Sequence, residues 1–180
     1  MAVAISRYDP AKSYIGQKAF DCGHEILNNF VARALKQQTQ RNISVAYVLT
    51  EDDTTFVGFY TLMSASIHKE ELSALAPGSL PHQVPVAKLS MLGVSTHYKG
   101  RGLGKSLLRH AMEVTATASG QIGMYGLYLD ADDGAYDFYT KHSFVPLTQR
   151  QSPNATPLFL PTATIKQALA SAAASATVGD

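Results

Sequence analysis

The chain has 180 residues, of which 46% are apolar and 16% charged, so it can fill the core of one compact domain and is not a disordered polyelectrolyte. Its net charge of +1 gives no global field to attract nucleic acid or an anionic membrane, so such binding would have to use a local patch. The single cysteine, Cys22, excludes an intrachain disulfide and a cysteine zinc cluster. No apolar run reaches the length of a membrane span, and Met1–Tyr8 lacks the character of a signal peptide. These features predict a cytoplasmic protein with no membrane partner.

Val3 and Ile5 suggest a short first strand, broken at Asp9-Pro10. Ile26, Leu27, Phe30, Val31, Ala34 and Leu35 recur on one face of a helix from about Glu25 to Gln38. Ser44–Thr50 reads as a strand, Glu51-Asp52-Asp53 as a turn, and Phe56–Ile67 as the hairpin partner. His68–Val84, with Pro77-Gly78 and Pro81, reads as a long loop holding a short helical turn, and Lys88–Val94 as the next strand. A polar glycine turn, Tyr98–Gly104, leads into an amphipathic helix that Gly120-Gln121 ends. Then follow a strand (Met124–Ala131), a short helix (Ala135–Lys141) and a short strand (Phe144–Leu147). Pro157–Pro161 is a last strand, placed at an edge by its prolines. Thr164–Leu169 has helical character. The expected organisation is one domain over residues 1–169, of α/β (α+β) class with a mixed central sheet flanked by helices, and a frayed small-residue tail over 170–180.

The most informative segment is Lys99-Gly100-Arg101-Gly102-Leu103-Gly104-Lys105-Ser106, between a strand and a helix. Glycines let the backbone turn tightly and approach a ligand, and the following helix offers unpaired N–H groups at its positive end. Together these make a phosphate cradle, to which Lys99, Arg101 and Lys105 add charge. A nucleotide P-loop would need glycine where Lys99 stands, and a dinucleotide fingerprint needs a different glycine spacing on a first strand–helix turn. An ordinary glycine turn stays open as the bland alternative. Gly102 and Gly104 also fit the pattern [Q/R]-x-x-G-x-[G/A], with Lys99 where Gln or Arg is usual.

That last pattern resembles the pyrophosphate loop of the GNAT N-acetyltransferases. Val94 ends a strand five residues before Lys99, as in that family. Ala135-Tyr136-Asp137-Phe138-Tyr139 resembles its A-x-x-F-Y element, and Lys141-His142-Ser143-Phe144 its x-x-G-F continuation, with Ser143 for glycine. A narrower likeness extends over Phe20-Asp21-Cys22-Gly23, Leu27-Asn28-Asn29-Phe30, Ala46–Leu49, Gly58–Leu62, Val84-Pro85-Val86 and Pro157–Pro161. These segments resemble the GNAT toxins of bacterial type II toxin–antitoxin pairs, which acetylate the α-amine of aminoacyl-tRNA and block translation.

The resemblance implies acetyl-CoA as co-substrate, no metal, and direct transfer without an acyl-enzyme. It assigns acetyl-CoA to Leu92, Gly93, Val94, Lys99, Gly100, Arg101, Gly102, Leu103, Gly104, Lys105, Ala135 and Phe138, with N–H groups of Leu92–Val94 as oxyanion donors. It makes Tyr139 the general acid. A phenol of pKa ~10 protonates a thiolate of conjugate-acid pKa ~8.5 only with help from its site, and Tyr139 as core aromatic is the competing reading. Cys22 reads as a small packed residue. No general base is evident, which favours an α-amine of pKa ~7.7–8.0 over a lysine of ~10.4.

None of the six histidines (His24, His68, His82, His97, His110, His142) has metal-ligand spacing, so each is expected to be a surface or cap residue rather than a metal ligand. Arg33, Lys36 and Arg41 form a candidate RNA-facing patch, or a solvated helix face. The implied partners are aminoacyl-tRNA and a small ribbon-helix-helix antitoxin; oligomeric state is left open, a homodimer included. Two other functions remain in play: acetylation of a small amine or protein N-terminus, and a non-catalytic acyl-CoA-binding module.

Overall fold

The computed structural model describes residues 2–177. Its contacts divide the chain into two compact units, Met1–Met63 with Leu89–Ala111, and Ser64–Lys88 with Met112–Asp180.

In the first unit, β1 (Val3–Arg7) pairs antiparallel with β2 (Val45–Glu51), Ile5 opposite Leu49. β2 pairs antiparallel with the start of β3 (Thr55–His68), Val48 opposite Phe59. Asp52 and Asp53 make the turn with φ of +51° and +61°, a left-handed backbone that short polar side chains tolerate. Such turns match the twist of the strands they join. Alternation along β2 buries Ala46 and Val48, and a register shift at Leu49/Thr50 brings Phe56 in beside Phe59, all packed with Phe20, Val31 and Leu35. Each such apolar side chain contributes roughly 1.5–3 kcal/mol on leaving water.

The single helix expected over Glu25–Gln38 is two, α1 (Glu25–Arg33) and α2 (Leu35–Gln40), because Ala34 departs to φ −115°. Ala34 N–H still donates to Phe30 O, and Gln38 N–H to Ala34 O. No Gly or Pro marks the break, and Val31 and Leu35 stay buried on either side of it, so the apolar periodicity runs straight through.

In the second unit, β4 (Gln83–Val94) starts at Gln83 rather than Lys88. Pro85 has no N–H to give, but its carbonyl accepts Tyr125 N–H at 2.8 Å, and Val84 and Val86 are buried with Phe159. The helical turn between β3 and β4 is Lys69–Leu75. β5 (Gly126–Ala131) runs parallel to β4, Ala87 opposite Leu127, a direction that needs a long crossover. The connection contains α3 (Leu103–Ser119). α4 (Tyr136–Lys141) and β6 (Val145–Pro146) follow.

β7 (Thr156–Pro161) was expected at an edge and is not there. It pairs antiparallel with β5 on one side and with β6 on the other. β6 opposes only Phe159 and Leu158, so Pro157 and Pro161 fall outside that short ladder and their missing N–H groups cost it nothing. α5 (Thr162–Thr177) extends well beyond Leu169. Alanine-rich sequence carries the helix through 170–177, where every residue is exposed, and residues 178–180 lie outside the described set. The strands form one seven-stranded mixed sheet in the order β1-β2-β3-β4-β5-β7-β6, flanked by helices.

Candidate active site

The first unit carries the end of β4 and the glycine loop. Leu92 and Val94 are half-buried and Gly93 is buried. A Cβ on Gly93 would come within 3.3 Å of Cys22 Sγ and 3.5 Å of Leu27 Cδ1. Gly58 is tighter, its virtual Cβ 2.9 Å from Gly93 O. Cys22 therefore sits as the small packed residue expected, and burial pushes its thiol pKa up, away from nucleophile behaviour.

Past Val94 the chain is pinned twice. Ser95 N–H donates to Val57 O at 2.8 Å and Thr96 N–H to Asp21 O at 2.9 Å. Asp21 accepts from Gly23 N–H and from Asn28 Nδ2, both at 2.8 Å. Those bonds, Gly23's first, with lesser help from Lys99 and His97, hold its carboxyl below the usual range. The likeness seen at Asp21, Gly23 and Asn28 thus has a local purpose: it braces the entrance to the glycine loop.

Gly100 (φ +78°) and Gly102 (φ +72°) adopt backbone that side chains disfavour, and no other atom lies within 4 Å of a Cβ placed on either. The need for glycine here is conformational, and the space before the loop is open. α3 begins at Leu103, and Ser106 N–H donates to Gly102 O at 3.1 Å as its first bond. The N–H groups of Leu103, Gly104 and Lys105 precede that bond, so helix geometry gives them no intrahelical acceptor. Leu107 and Leu108 are buried and anchor this first turn.

The three cations differ in posture. The Lys99 ammonium lies against Gly23, 3.2 Å from where its Cβ would be. The Arg101 guanidinium stacks over Tyr98 at 5.0 Å, and Tyr98 in turn donates its hydroxyl to Glu51 Oε2 at 2.6 Å. Lys105 is exposed on the helix's first turn. Sequence inspection missed Tyr98 and Glu51, since a contact across 47 residues leaves no local signal.

A groove of about 470 Å³ also belongs to this unit, and Lys12, Lys18, Arg33 and Lys36 line it together with Tyr8 and Gln17. It collects Arg33 and Lys36 as expected and adds two lysines; Arg41 does not line it.

The second unit carries Tyr139. β5 ends at Ala131, and Ala135 N–H and Tyr136 N–H both return to Asp132 O to start α4. Asp133 is held by Arg150 Nε at 2.8 Å and Ser152 Oγ at 2.7 Å, contacts that lower its pKa, and Arg150 also stacks on Tyr136 at 4.4 Å. Arg150 is thus a brace for α4 that sequence reading did not find. Ala135 and Phe138 are half-buried, Phe138 against the His142 ring at 5.0 Å. Ser143 takes φ +72°, the left-handed position where the resemblance has glycine, at a cost of roughly 1–2 kcal/mol.

Tyr139 is the buried member of the aromatic pair, 8% exposed, its ring edge-on to Phe144 at 5.5 Å. Its hydroxyl has no hydrogen-bond partner among the described residues and is not among the unpartnered polar atoms sealed from solvent. Burial, with a smaller contribution from Asp132, pushes its pKa up, so it holds its proton at neutral pH. Ring packing and a free hydroxyl are therefore both present.

His68 and His82 come together with Glu70, one ligand atom from each lying within 4.8 Å of the others.

A glycine turn and helix start following a sheet strand, in a seven-stranded mixed sheet, is the arrangement that the resemblance to acetyl-CoA-dependent transferases implies. The family model "Acetyltransferase (GNAT) domain" matches residues 42–146, and the chain belongs to the GNAT family of acetyl-CoA-dependent N-acetyltransferases. Within that family it is similar to particular toxins. A "Probable toxin TacT" of Sinorhizobium fredii is 32% identical over 161 residues, 82% of this chain and 86% of the relative. A "tRNA-acetylating toxin" of Mycobacterium tuberculosis is 34% identical over 128 residues, 70% of this chain and 76% of the relative. Among solved structures, AtaT complexed with acetyl-methionyl-tRNAfMet superposes with a TM-score of 0.80 at 28% identity, over 93% of this chain and 99% of that one. A tyrosine-to-phenylalanine mutant of AtaT, bound to acetyl-CoA and the C-terminus of the antitoxin AtaR, superposes at 0.78 and 28%, over 93% and 98%. Among the described residues, no helix is long and apolar enough to cross a membrane.

Proposed function

We propose that this chain transfers acetyl from acetyl-CoA to the α-amine of aminoacyl-tRNA and so acts as a translation-blocking toxin. The observation that carries the reading is the likeness over nearly full length to AtaT, a toxin captured with an acetylated aminoacyl-tRNA. The groove with four cations around Tyr8 supports it, being a local basic surface on a chain of net charge +1.

In the proposed reaction, Gly100–Lys105 hold the pyrophosphate through backbone N–H groups and the positive start of α3. Arg101, steadied by Tyr98, and Lys105 add charge. Backbone N–H groups of Leu92, Gly93 and Val94 stabilise the carbonyl oxygen as it gains charge. Ala135 and Phe138 flank the acyl carrier. The free amine attacks the thioester carbon, a C–N bond forms, and the C–S bond breaks. Tyr139 gives its proton to the departing thiolate, and the proton the amine loses passes to solvent. Because burial destabilises a phenolate at Tyr139, a proton from solvent replaces the one it gives up, which balances the proton the amine released.

The partners in this reading are charged tRNA and a small ribbon-helix-helix antitoxin, and the setting is the cytoplasm. The test is labelled acetyl-CoA with total tRNA, charged or stripped of amino acids. Label appears on charged tRNA only, and falls steeply with salt as neutralised phosphates release their counterions. Label on a small amine or peptide but not on charged tRNA overturns the acceptor and leaves general acetyltransferase activity standing.

A further inference from the structure

We propose that His68, Glu70 and His82 form a binding site for a zinc-type divalent metal ion, separate from the residues assigned to acetyl transfer. The site is built by the connection between two strands. His68 is the last residue of β3, Glu70 lies in the helical turn Lys69–Leu75, and His82 directly precedes β4. The backbone closes this loop, with Lys69 N–H donating to His82 O at 3.1 Å, so residues 14 apart in sequence meet at its neck. One ligand atom from each of the three side chains lies within 4.8 Å of the others; Glu70 Oε1 is 4.0 Å from His82 Nδ1, and the two imidazole centroids are 5.2 Å apart.

The neighbouring groups divide their work in a way that suits a metal. Of the adjacent glutamates, Glu71 is occupied, accepting His68 N–H at 2.9 Å, which leaves Glu70 as the carboxylate of the set. The amide nitrogen of Gln83 faces His68 Nδ1 at 3.3 Å, and the Gln83 amide oxygen accepts Ser66 Oγ–H at 3.0 Å.

Two imidazoles and one carboxylate suit zinc and its borderline neighbours rather than calcium or magnesium, which prefer all-oxygen sets. Three protein ligands leave a fourth position for water. With all three side chains exposed, the site is open to solvent and would exchange its ion readily. Binding would tie the helical turn to both flanking strands, and an ion held only by the folded form raises stability with its concentration.

Tag-free full-length protein titrated calorimetrically with zinc tests this. One ion binds saturably, raises the thermal midpoint, and is removed by a chelator. His82→Ala and Glu70→Gln, both at exposed positions that leave the fold intact by circular dichroism, lose the saturable step. Absence of saturable zinc binding, or unchanged stoichiometry and affinity in the double variant His82→Ala/Glu70→Gln, overturns the site.

Discussion

Tyr139→Phe separates the two readings of that residue, because it removes the hydroxyl and keeps the ring. The ring is buried against Phe144, while the hydroxyl makes no hydrogen bond among the described residues. Deleting it breaks nothing in the folded state, so denaturation midpoints should hardly move. Removing the ring with Tyr139→Ala is a different perturbation, costing about 3–5 kcal/mol. If Tyr139 is the general acid, the phenylalanine variant loses about 10²–10⁴ in rate, or ~2.7–5.5 kcal/mol of barrier, with acetyl-CoA affinity retained.

The sign of its pKa shift adds a second readout. Burial raises the folded value above ~10, so the neutral ring's contribution to stability is complete below that pH. It is lost as pH climbs toward the folded value, because only the unfolded tyrosine ionises readily. The phenylalanine variant, which cannot ionise, should therefore lose less stability than wild type above pH ~10. Single-turnover acetylation decides the main question. A wild-type rate in a folded Tyr139→Phe protein would show that the residue is aromatic core and that another group protonates the thiolate.

Two further substitutions probe the glycines. Gly102→Asp places a side chain at φ +72° and a negative charge before the helix start; calorimetry should show acetyl-CoA binding abolished, and unchanged affinity would remove the loop from the site. Gly126→Ala is a stability test far along the chain from that loop: its Cβ would lie 2.6 Å from Leu160 O and collide with the Phe159 ring. Urea denaturation should show a loss of about 1–3 kcal/mol, with an unaltered midpoint meaning that β7 yields freely.

Much was legible in the sequence because the signals were local. Alternation located β2, aromatic and β-branched content located β3, the i, i+3, i+4 spacing located the α1–α2 and α3 faces, and a glycine turn between strand and helix located the start of α3. Composition, charge and the single cysteine set the class. The toxin likeness came from segments such as Phe20–Gly23, whose bracing contact with the loop was visible only afterwards.

What only the tertiary structure decided depends on residues distant in sequence. The break at Ala34 carries no Gly or Pro. The place of β7 inside the sheet was hidden because prolines were read as an edge signal, whereas the neighbouring β6 is too short to need their N–H groups. Tyr98 steadies Arg101 through a partner 47 residues away, and Arg150 braces α4 from a loop beyond it. His68 and His82 lack any ligand spacing along the chain, yet a closed strand connection brings their rings together. Local pattern encodes which face is apolar and which backbone is strained. Which side chains then meet is decided by chain closure and strand order, and neither is written in any short window of residues.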